Sequence, residues 1–248
     1  LANCESASVD RALFMHDRIL NTGGQWLIRG EADYPEALIS VMDYSAPPLL
    51  SVYGDVGLLR QGSMSIIGSR DPSDRGCLLA EELATWAQSR DRCVVSGGAN
   101  GIDSAAHKAA LDSGGESIFM IPQGALTYEG PPWVKSHIES GNAAVVSSLI
   151  PDTDWSASGA MGRNRLVAAM GQLICVIDPA LESGSQKAAH FALEYDKRSL
   201  VYAYDKVNSA YGDLIRKGAF PILDENGMWD ESYLENHWSL GGRPLRKQ

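Results

Sequence analysis

The chain has 248 residues, of which 44% are hydrophobic and 21% are charged, a composition typical of a globular protein. No apolar run approaches the roughly 20 residues that a membrane span requires, so no membrane partner is expected. The formal net charge of −10 disfavours a broad nucleic-acid-binding surface, which needs positive charge, although a local basic patch would suffice.

The cysteines and the first residues bear on the cellular compartment. Cys4, Cys77, Cys93 and Cys175 are far apart and form no Cys-x-x-Cys pair, which disfavours a zinc ribbon and a disulfide scaffold. The first residues show no basic stretch leading into an apolar one, so no signal peptide is expected. We therefore predict a reducing, cytoplasmic setting.

The N-terminal part of the chain predicts a helical segment followed by a connector. Residues 8–20 are typical of a short helix, which the glycine pair at 23–24 ends. Residues 34–42 predict a second helix begun by a proline, and residues 49–54 predict a strand ended by glycine. We expect residues 1–32 to form a short helical remnant outside the main domain.

From residue 64 onward, apolar strand-like runs alternate with helix-like segments. Strands without polar alternation, separated by helices, are typical of a parallel sheet covered on both faces. The predicted fold is α/β, a doubly wound, mainly parallel sheet with helices on both faces, in a main domain over residues 33–222. Residues 221–224 predict a last short strand, and residues 223–248 predict a C-terminal tail without a winged-helix domain. The predicted strands are 64–68, 92–96, 117–121, 143–147, 173–177 and 199–204, and the predicted helices are 73–89, 103–112, 131–140, 163–170, 184–196 and 209–217.

Three segments end a predicted strand in small residues and open a predicted helix. Residues 68–70 (GSR) combine a glycine turn, a hydroxyl and an arginine fork suited to phosphate, although a tight turn with a surface arginine has the same pattern. Residues 96–103 (SGGANGID) place three glycines before a helix N-terminus, where backbone N–H groups bind anions. Residues 182–187 (ESGSQK) repeat the pattern. Such turns meet at one edge of a parallel sheet, so we expect a common phosphate-binding crevice.

Residues 163–165 (RNR) add fixed positive charge before an apolar helical run. We expect a helix to begin here, and two arginines at a helix N-terminus oppose the helix dipole, which favours a role in binding an anion. The alternative is a pair of salt bridges to Asp152, Asp154 or Asp178. Together with the three turns, this segment predicts a protein that binds a phosphate backbone or a nucleotide.

Other patterns that could carry chemistry are weaker. Asp103 and His107 lie four residues apart on one predicted helix face, where they could form an acid–base pair or half a metal site. A structural role is favoured, because no third ligand is visible. The glycine spacing of residues 96–103 fits neither a dinucleotide fingerprint nor a P-loop, and Gly-x-Ser-x-Gly is absent. We expect no catalytic residue, no metal and no cofactor.

Taken in order, these motifs resemble the DNA-processing protein A family, also called DprA or Smf, within the wider group of Rossmann-like DprA and LOG domains. The resemblance extends over roughly residues 33–220. The matching segments are 34–35 with 47–48, 67–70, 96–103 with 106–107, 114–115, 163–165, 183–185 and 212–219.

The resemblance implies an extended Rossmann-like fold that binds single-stranded DNA without catalysing a reaction. It further implies that the protein protects incoming DNA in natural transformation, loads a RecA-type recombinase onto it for DNA recombination, and acts as a homodimer. To the phosphate pocket the resemblance assigns Gly68, Ser69, Arg70, Ser96, Gly97, Arg163, Asn164, Arg165, Ser183, Gly184 and Ser185. The glycine-rich turn adds Gly98, and charge alone adds Lys187.

Two rival functions stay open at this point. A sensor of a nucleotide-derived ligand on the same fold would fit the acidic composition and a compact pocket. An enzyme of the LOG type, a nucleoside monophosphate phosphoribohydrolase, would release the base from its substrate. That group carries Pro-Gly-Gly-x-Gly-Thr followed by Glu, a run that this sequence lacks.

Overall fold

The computed structural model describes residues 2–204, 209–224 and 226–241, with side chains from residue 8 onward. In these ranges the strands are β1 (Gly24–Ile28), β2 (Leu49–Gly54), β3 (Ser63–Gly68), β4 (Cys93–Ser96), β5 (Ser117–Met120), β6 (Ala143–Ser147), β7 (Leu173–Ile177), β8 (Arg198–Tyr202) and β9 (Phe220–Pro221). The helices are α1 (Ala2–Asn21), α2 (Glu36–Met42), α3 (Asp74–Gln88), α4 (Ile102–Asp112), α5 (Pro132–Glu139), α6 (Ala157–Met170), α7 (Gly184–Glu194), α8 (Ser209–Arg216) and α9 (Glu231–Gly241).

The strands of the described ranges form one sheet in the order β1-β2-β6-β5-β4-β3-β7-β8-β9. β2 is antiparallel to both of its neighbours, whereas the strands from β6 to β9 in this order run parallel. Every residue of β4, β5, β6 and β7 is buried, which explains why their sequences show no polar alternation. The predicted mainly parallel α/β fold is confirmed.

Helices cover both faces of the sheet. On one face α2, α6, α7 and α8 pack around residues such as Val167 and Ala189. On the other face α3, α4 and α9 pack around residues such as Leu83. Neighbouring residues of β3 divide between the two layers, since Ile67 joins the first and Ile66 the second. This is the doubly wound arrangement that the sequence predicts.

The winding direction of the chain reverses at β3. From β3 the chain proceeds through β4, β5 and β6 toward one edge, then crosses to β7 and proceeds through β8 and β9 toward the other. The connections that leave the carboxyl ends of β3 and β7 therefore diverge to opposite sides. Such a switch point leaves a crevice in which open α/β sheets bind their ligands.

The start of α6 corrects a prediction. The helix begins at Ala157 rather than at residue 163, because the Ser156 side chain accepts a hydrogen bond from the Gly159 N–H and caps the helix there. Arg163 and Arg165 consequently lie in the middle of α6. They do not lie at a helix N-terminus and do not oppose its dipole, so this part of the prediction is wrong.

Two elements lie where the sequence predicted neither strand nor helix. β1 pairs with β2 along its full length, and α9 adds Leu234 to the buried layer on the face that also carries α3 and α4.

The domain boundaries at residues 32 and 222 stay a prediction. Among the helices that the structure describes, none combines the length and apolarity needed to cross a membrane.

Candidate anion-binding site

A pocket of about 480 Å³ opens at the switch point, where β3 and β7 end. Four of the predicted segments contribute to its walls, namely 68–70 at the end of β3, 96–103 through Ala99 and Asp103, 163–164 on α6 and 183–185 at the start of α7. The other lining residues are Ile67, Trp155, Ala157, Ala160, Met161 and Ala180. Segments that are more than 100 residues apart in the chain thus surround one space.

Backbone hydrogen bonds fix the turn after β3. The Ser69 N–H donates to the Ile177 carbonyl at the end of β7, and the Ile102 N–H at the start of α4 donates to the Ser69 carbonyl, both at 3.1 Å. Only glycine fits at position 68, because a Cβ there would lie 2.1 Å from the Ile177 oxygen. Arg70 follows with an exposed side chain on the pocket wall. Within the described ranges no carboxylate forms a salt bridge with it, so its guanidinium is available to an anion.

The turn between β7 and α7 presents a helix N-terminus to the pocket. The Ser183 hydroxyl accepts a hydrogen bond of 3.2 Å from the Gln186 N–H and so caps α7. Gly184 and Ser185 occupy the first helical turn, whose N–H groups have no acceptor within the helix and carry positive partial charge. A Cβ on Gly184 would meet only the Asn164 side chain within 3 Å. The geometry therefore suits an oxyanion.

The turn between β4 and α4 is filled by the protein's own charges. Arg163 is buried, and its Nη1 lies 3.4 Å from Oδ2 of the equally buried Asp103, which also accepts from the Ala99 N–H. A Cβ on Gly97 would lie 0.9 Å from that Nη1. Gly97 is thus required to make room for the guanidinium rather than for a ligand.

Burial controls the titration of the groups beneath this turn. It raises the pKa of the Asp103 carboxyl despite the opposing effect of Arg163, and it lowers the pKa of the Arg163 guanidinium. The Ser117 hydroxyl donates to the Val94 carbonyl and therefore accepts from Nδ1–H of His107, which lies 2.7 Å away. Burial lowers the pKa of His107 to about 3, so this histidine is neutral at physiological pH and has a structural role.

A second pocket of about 270 Å³ adjoins the first, since Met161 and Asn164 line both. Arg165 and Lys187 lie on its wall. Nζ of Lys187 lies 3.7 Å from a Glu182 oxygen, and because the glutamate is largely exposed and the lysine nearly half exposed, this pair holds the lysine only weakly. Among the residues that the structure describes, no three His, Cys, Asp or Glu side chains are placed to hold a metal ion.

The structure sorts the predicted site residues into three groups. The larger pocket is lined by Gly68, Ser69, Arg70, Arg163, Asn164, Ser183, Gly184 and Ser185, and the adjoining pocket by Asn164, Arg165 and Lys187. Ser96 and Gly97 are buried outside both pockets, and Gly98 is exposed outside both.

Asp178 positions the pocket loops, a role that the sequence did not suggest. Its Oδ2 accepts from the N–H and the hydroxyl of Ser73 at 2.9 and 2.6 Å, and its Oδ1 accepts from the Tyr204 N–H at 2.8 Å. It adopts a φ of +48°, which Asp tolerates better than most residues. An aspartate directly after a strand and before Pro179 is the sequence signal that could have identified it.

The fold and the pocket define a class of protein. A protein with a doubly wound, mainly parallel sheet, and with loop ends and a helix N-terminus around a crevice at its switch point, is a Rossmann-like α/β protein with a site suited to phosphate. A family model described as DNA recombination-mediator protein A matches residues 25–232. The chain belongs to this family, as its sequence motifs predict.

Individual relatives agree with this assignment. Protein Smf of Escherichia coli is 32% identical over 217 residues, which are 83% of this chain and 56% of that protein. The structure of DNA processing protein A from Streptococcus pneumoniae has a TM-score of 0.72 at 26% identity, covering 88% of this chain and 77% of that one. The structure of Helicobacter pylori DNA processing protein A, reported for its single-stranded DNA binding mode, has a TM-score of 0.69 at 25% identity, covering 86% and 94%. The chain spans little more than half the length of its Escherichia coli relative.

Proposed function

We propose that this protein binds single-stranded DNA, without catalysing a reaction on it, as part of DNA processing in natural transformation. The observation that carries the proposal is the 480 Å³ pocket at the switch point, in a chain of this family. The pocket combines the α7 N-terminus with an exposed arginine, Arg70, and both are chemically suited to phosphate. The Helicobacter pylori relative is described as binding single-stranded DNA.

The adjoining pocket favours a polynucleotide over a single nucleotide. A strand has several phosphates in succession, and the shared wall at Met161 and Asn164 leads from the larger pocket to Arg165 and Lys187. One phosphate at the α7 N-terminus and the next beside Arg165 would use both pockets. These cations supply the local basic patch that a chain with a net charge of −10 needs.

A sensor of a nucleotide-derived ligand is the second candidate. The larger pocket falls within the range of about 300–1,000 Å³ that is typical of small-molecule sites, and this volume is the observation that favours it. Such a ligand would be held at the α7 N-terminus alone. Arg165 and Lys187 would then contribute little to its affinity.

Titration of a fluorescent oligothymidylate at about 50 mM and about 200 mM salt tests the proposal. We expect measurable binding at the lower concentration and clear weakening at the higher one, because phosphate contacts release counterions. Absence of binding at low salt would refute the proposal. If thymidine monophosphate displaced the strand at a comparable concentration, the sensor would be favoured instead.

The partner proteins and the location follow from the same proposal. We expect a homodimer, a RecA-type recombinase as partner and a cytoplasmic location, all implied by the family. Sedimentation analysis of the pure protein checks the first expectation. Co-sedimentation with a recombinase in the presence of single-stranded DNA checks the second.

A further inference from the structure

Trp155 is an exposed aromatic residue on the wall of the larger pocket. Its side chain stays 53% exposed, although indole is the largest apolar group that a protein can bury. An isolated exposed apolar residue needs no explanation. Trp155 is not isolated, because the half-exposed Met161 and the alanines of the first α6 turns line the pocket beside it.

The backbone that carries this indole is anchored on both sides. Before Trp155, the Thr153 carbonyl accepts hydrogen bonds from the Gly124 N–H at 2.8 Å and from the Thr127 hydroxyl at 2.9 Å. After it, Ser156 caps α6. A ring presented on a fixed backbone loses little conformational freedom when a ligand packs against it.

The pocket therefore offers two kinds of surface to one ligand. The segments at 68–70 and 183–185 present hydrogen-bond donors and a guanidinium, which recognise phosphate. Trp155 and its neighbours present a flat apolar surface. A nucleotide unit of a single strand has both a charged phosphate and an unpaired aromatic face, and proteins that bind such strands stack bases on aromatic side chains.

We propose that Trp155 stacks on a base of the bound strand, and this inference rests on the proposed binding of single-stranded DNA. The base lies against the indole while its phosphate is held by the loop ends across the pocket. Stacking needs only the face of a base, so Trp155 contributes affinity with little preference for sequence. It distinguishes a strand with bases from a bare phosphate backbone.

The test compares oligothymidylate with an abasic deoxyribose–phosphate strand of the same length. For oligothymidylate, Trp155→Ala should weaken binding by about 5- to 150-fold, the loss typical of one stacked base. For the abasic strand, the variant and the unaltered protein should bind equally. Trp155→Phe should retain most of the affinity, whereas Trp155→Leu, which keeps apolar bulk without a ring, should behave like the alanine variant.

Tyr44→Ala is the matched control, since Tyr44 is 88% exposed and lies outside the pocket. It should leave both affinities unchanged. Equal binding of oligothymidylate by Trp155→Ala and by the unaltered protein would overturn the stacking and leave the proposed function standing. An equal loss on the abasic strand would also overturn it. If the unaltered protein bound neither strand at low salt, both proposals would fail.

Discussion

Two glycine-containing turns lie at the carboxyl edge of the sheet, one between β4 and α4 and the other between β7 and α7. In the first, the space beside Gly97 holds the guanidinium of Arg163, which pairs with Asp103. In the second, the space beside Gly184 opens on the pocket and meets only the Asn164 side chain. The first turn satisfies its charges internally, and the second leaves donors for a ligand.

This difference separates the two arginines of the α6 segment as well. Arg163 turns inward and stabilises the β4–α4 turn, whereas Arg165, two residues further along the helix, is exposed on the adjoining pocket. The Arg163 guanidinium, which is buried against a carboxylate, contributes to the stability of the folded protein. Arg165 forms no salt bridge with a carboxylate among the described residues, so it is available to bind an anion.

Removing the buried guanidinium should have the largest effect on stability. Arg163→Met leaves the Asp103 carboxylate buried without its partner, which we expect to lower the free energy of unfolding by about 3–5 kcal/mol. Urea denaturation measures this change. Arg165→Met is the control and should stay within about 0.5 kcal/mol of the unaltered protein. Equal stabilities of the two variants would contradict the internal role of Arg163.

A pair of glycine substitutions separates the two turns directly. Gly97→Ala forces the Arg163 guanidinium to move, so we expect a loss of about 1–3 kcal/mol in the free energy of unfolding. Gly184→Ala should change stability by less than about 0.5 kcal/mol, yet weaken binding of oligothymidylate, because the methyl group enters the pocket. Denaturation and anisotropy titration of both variants provide the measurements. If Gly97→Ala weakened binding and Gly184→Ala lowered stability, the β4–α4 turn would bind the strand and the β7–α7 turn would have the structural role.

The buried histidine beneath the first turn should make folding sensitive to acid. The pKa of His107 is about 3 in the folded protein and near 6.5 in the unfolded chain, so its contribution to stability is complete above pH 6.5 and is lost as the pH falls toward 3. We expect a loss of about 2 kcal/mol at pH 5, at a slope of about 1.4 kcal/mol per pH unit.

The histidine contribution must be isolated from that of Asp103. The raised pKa of this carboxyl acts in the opposite sense, since the native state gains stability as the pH falls through it. His107→Gln should flatten the slope between pH 6.5 and pH 5. Parallel slopes for this variant and the unaltered protein would show that His107 does not titrate as described.

Substitution of the exposed arginines should change the affinity for the strand and not the stability of the fold. Of the changes predicted here, each of these should be the smallest. Arg70→Ala and Arg165→Ala should each reduce the slope of log affinity against log salt concentration by about 0.7, as expected for one phosphate contact with a single strand. Lys135→Ala, on the exposed face of α5, is the control and should leave the slope unchanged. An unchanged slope in both arginine variants would place the strand elsewhere.

Most of the sheet was predictable because buried parallel strands are short, apolar and bounded by glycine or polar residues. β7 and β6 are fully buried and lie where the sequence places them. β1 and α9 were missed. β1 is only five residues long, and its burial depends on pairing with β2 at the sheet edge. α9 begins after Asp230, whose side chain accepts from the Tyr233 N–H, and an aspartate in this position is the capping signal that predicts a helix start.

The site was only partly predictable, because local patterns do not reveal what fills a turn. Residues 96–103 and 183–185 have the same glycine and serine character. Only in the segment 96–103 does an arginine fill the turn, and this arginine lies 60 residues from its partner Asp103 in the chain. The position of Trp155 likewise depends on the start of α6 at Ala157. That start was not predicted, because Gly159 and Gly162 lower the helix propensity of the first turns.

Backbone amide NMR during titration with oligothymidylate tests the central claim most directly. If the β7–α7 turn holds the phosphate, the amide resonances of Gly184 and Ser185 shift with the concentration of the strand, while those of Gly97 and Gly98, which line neither pocket, stay in place. Shifts confined to Gly97 and Gly98, with Gly184 and Ser185 unchanged, would contradict the account.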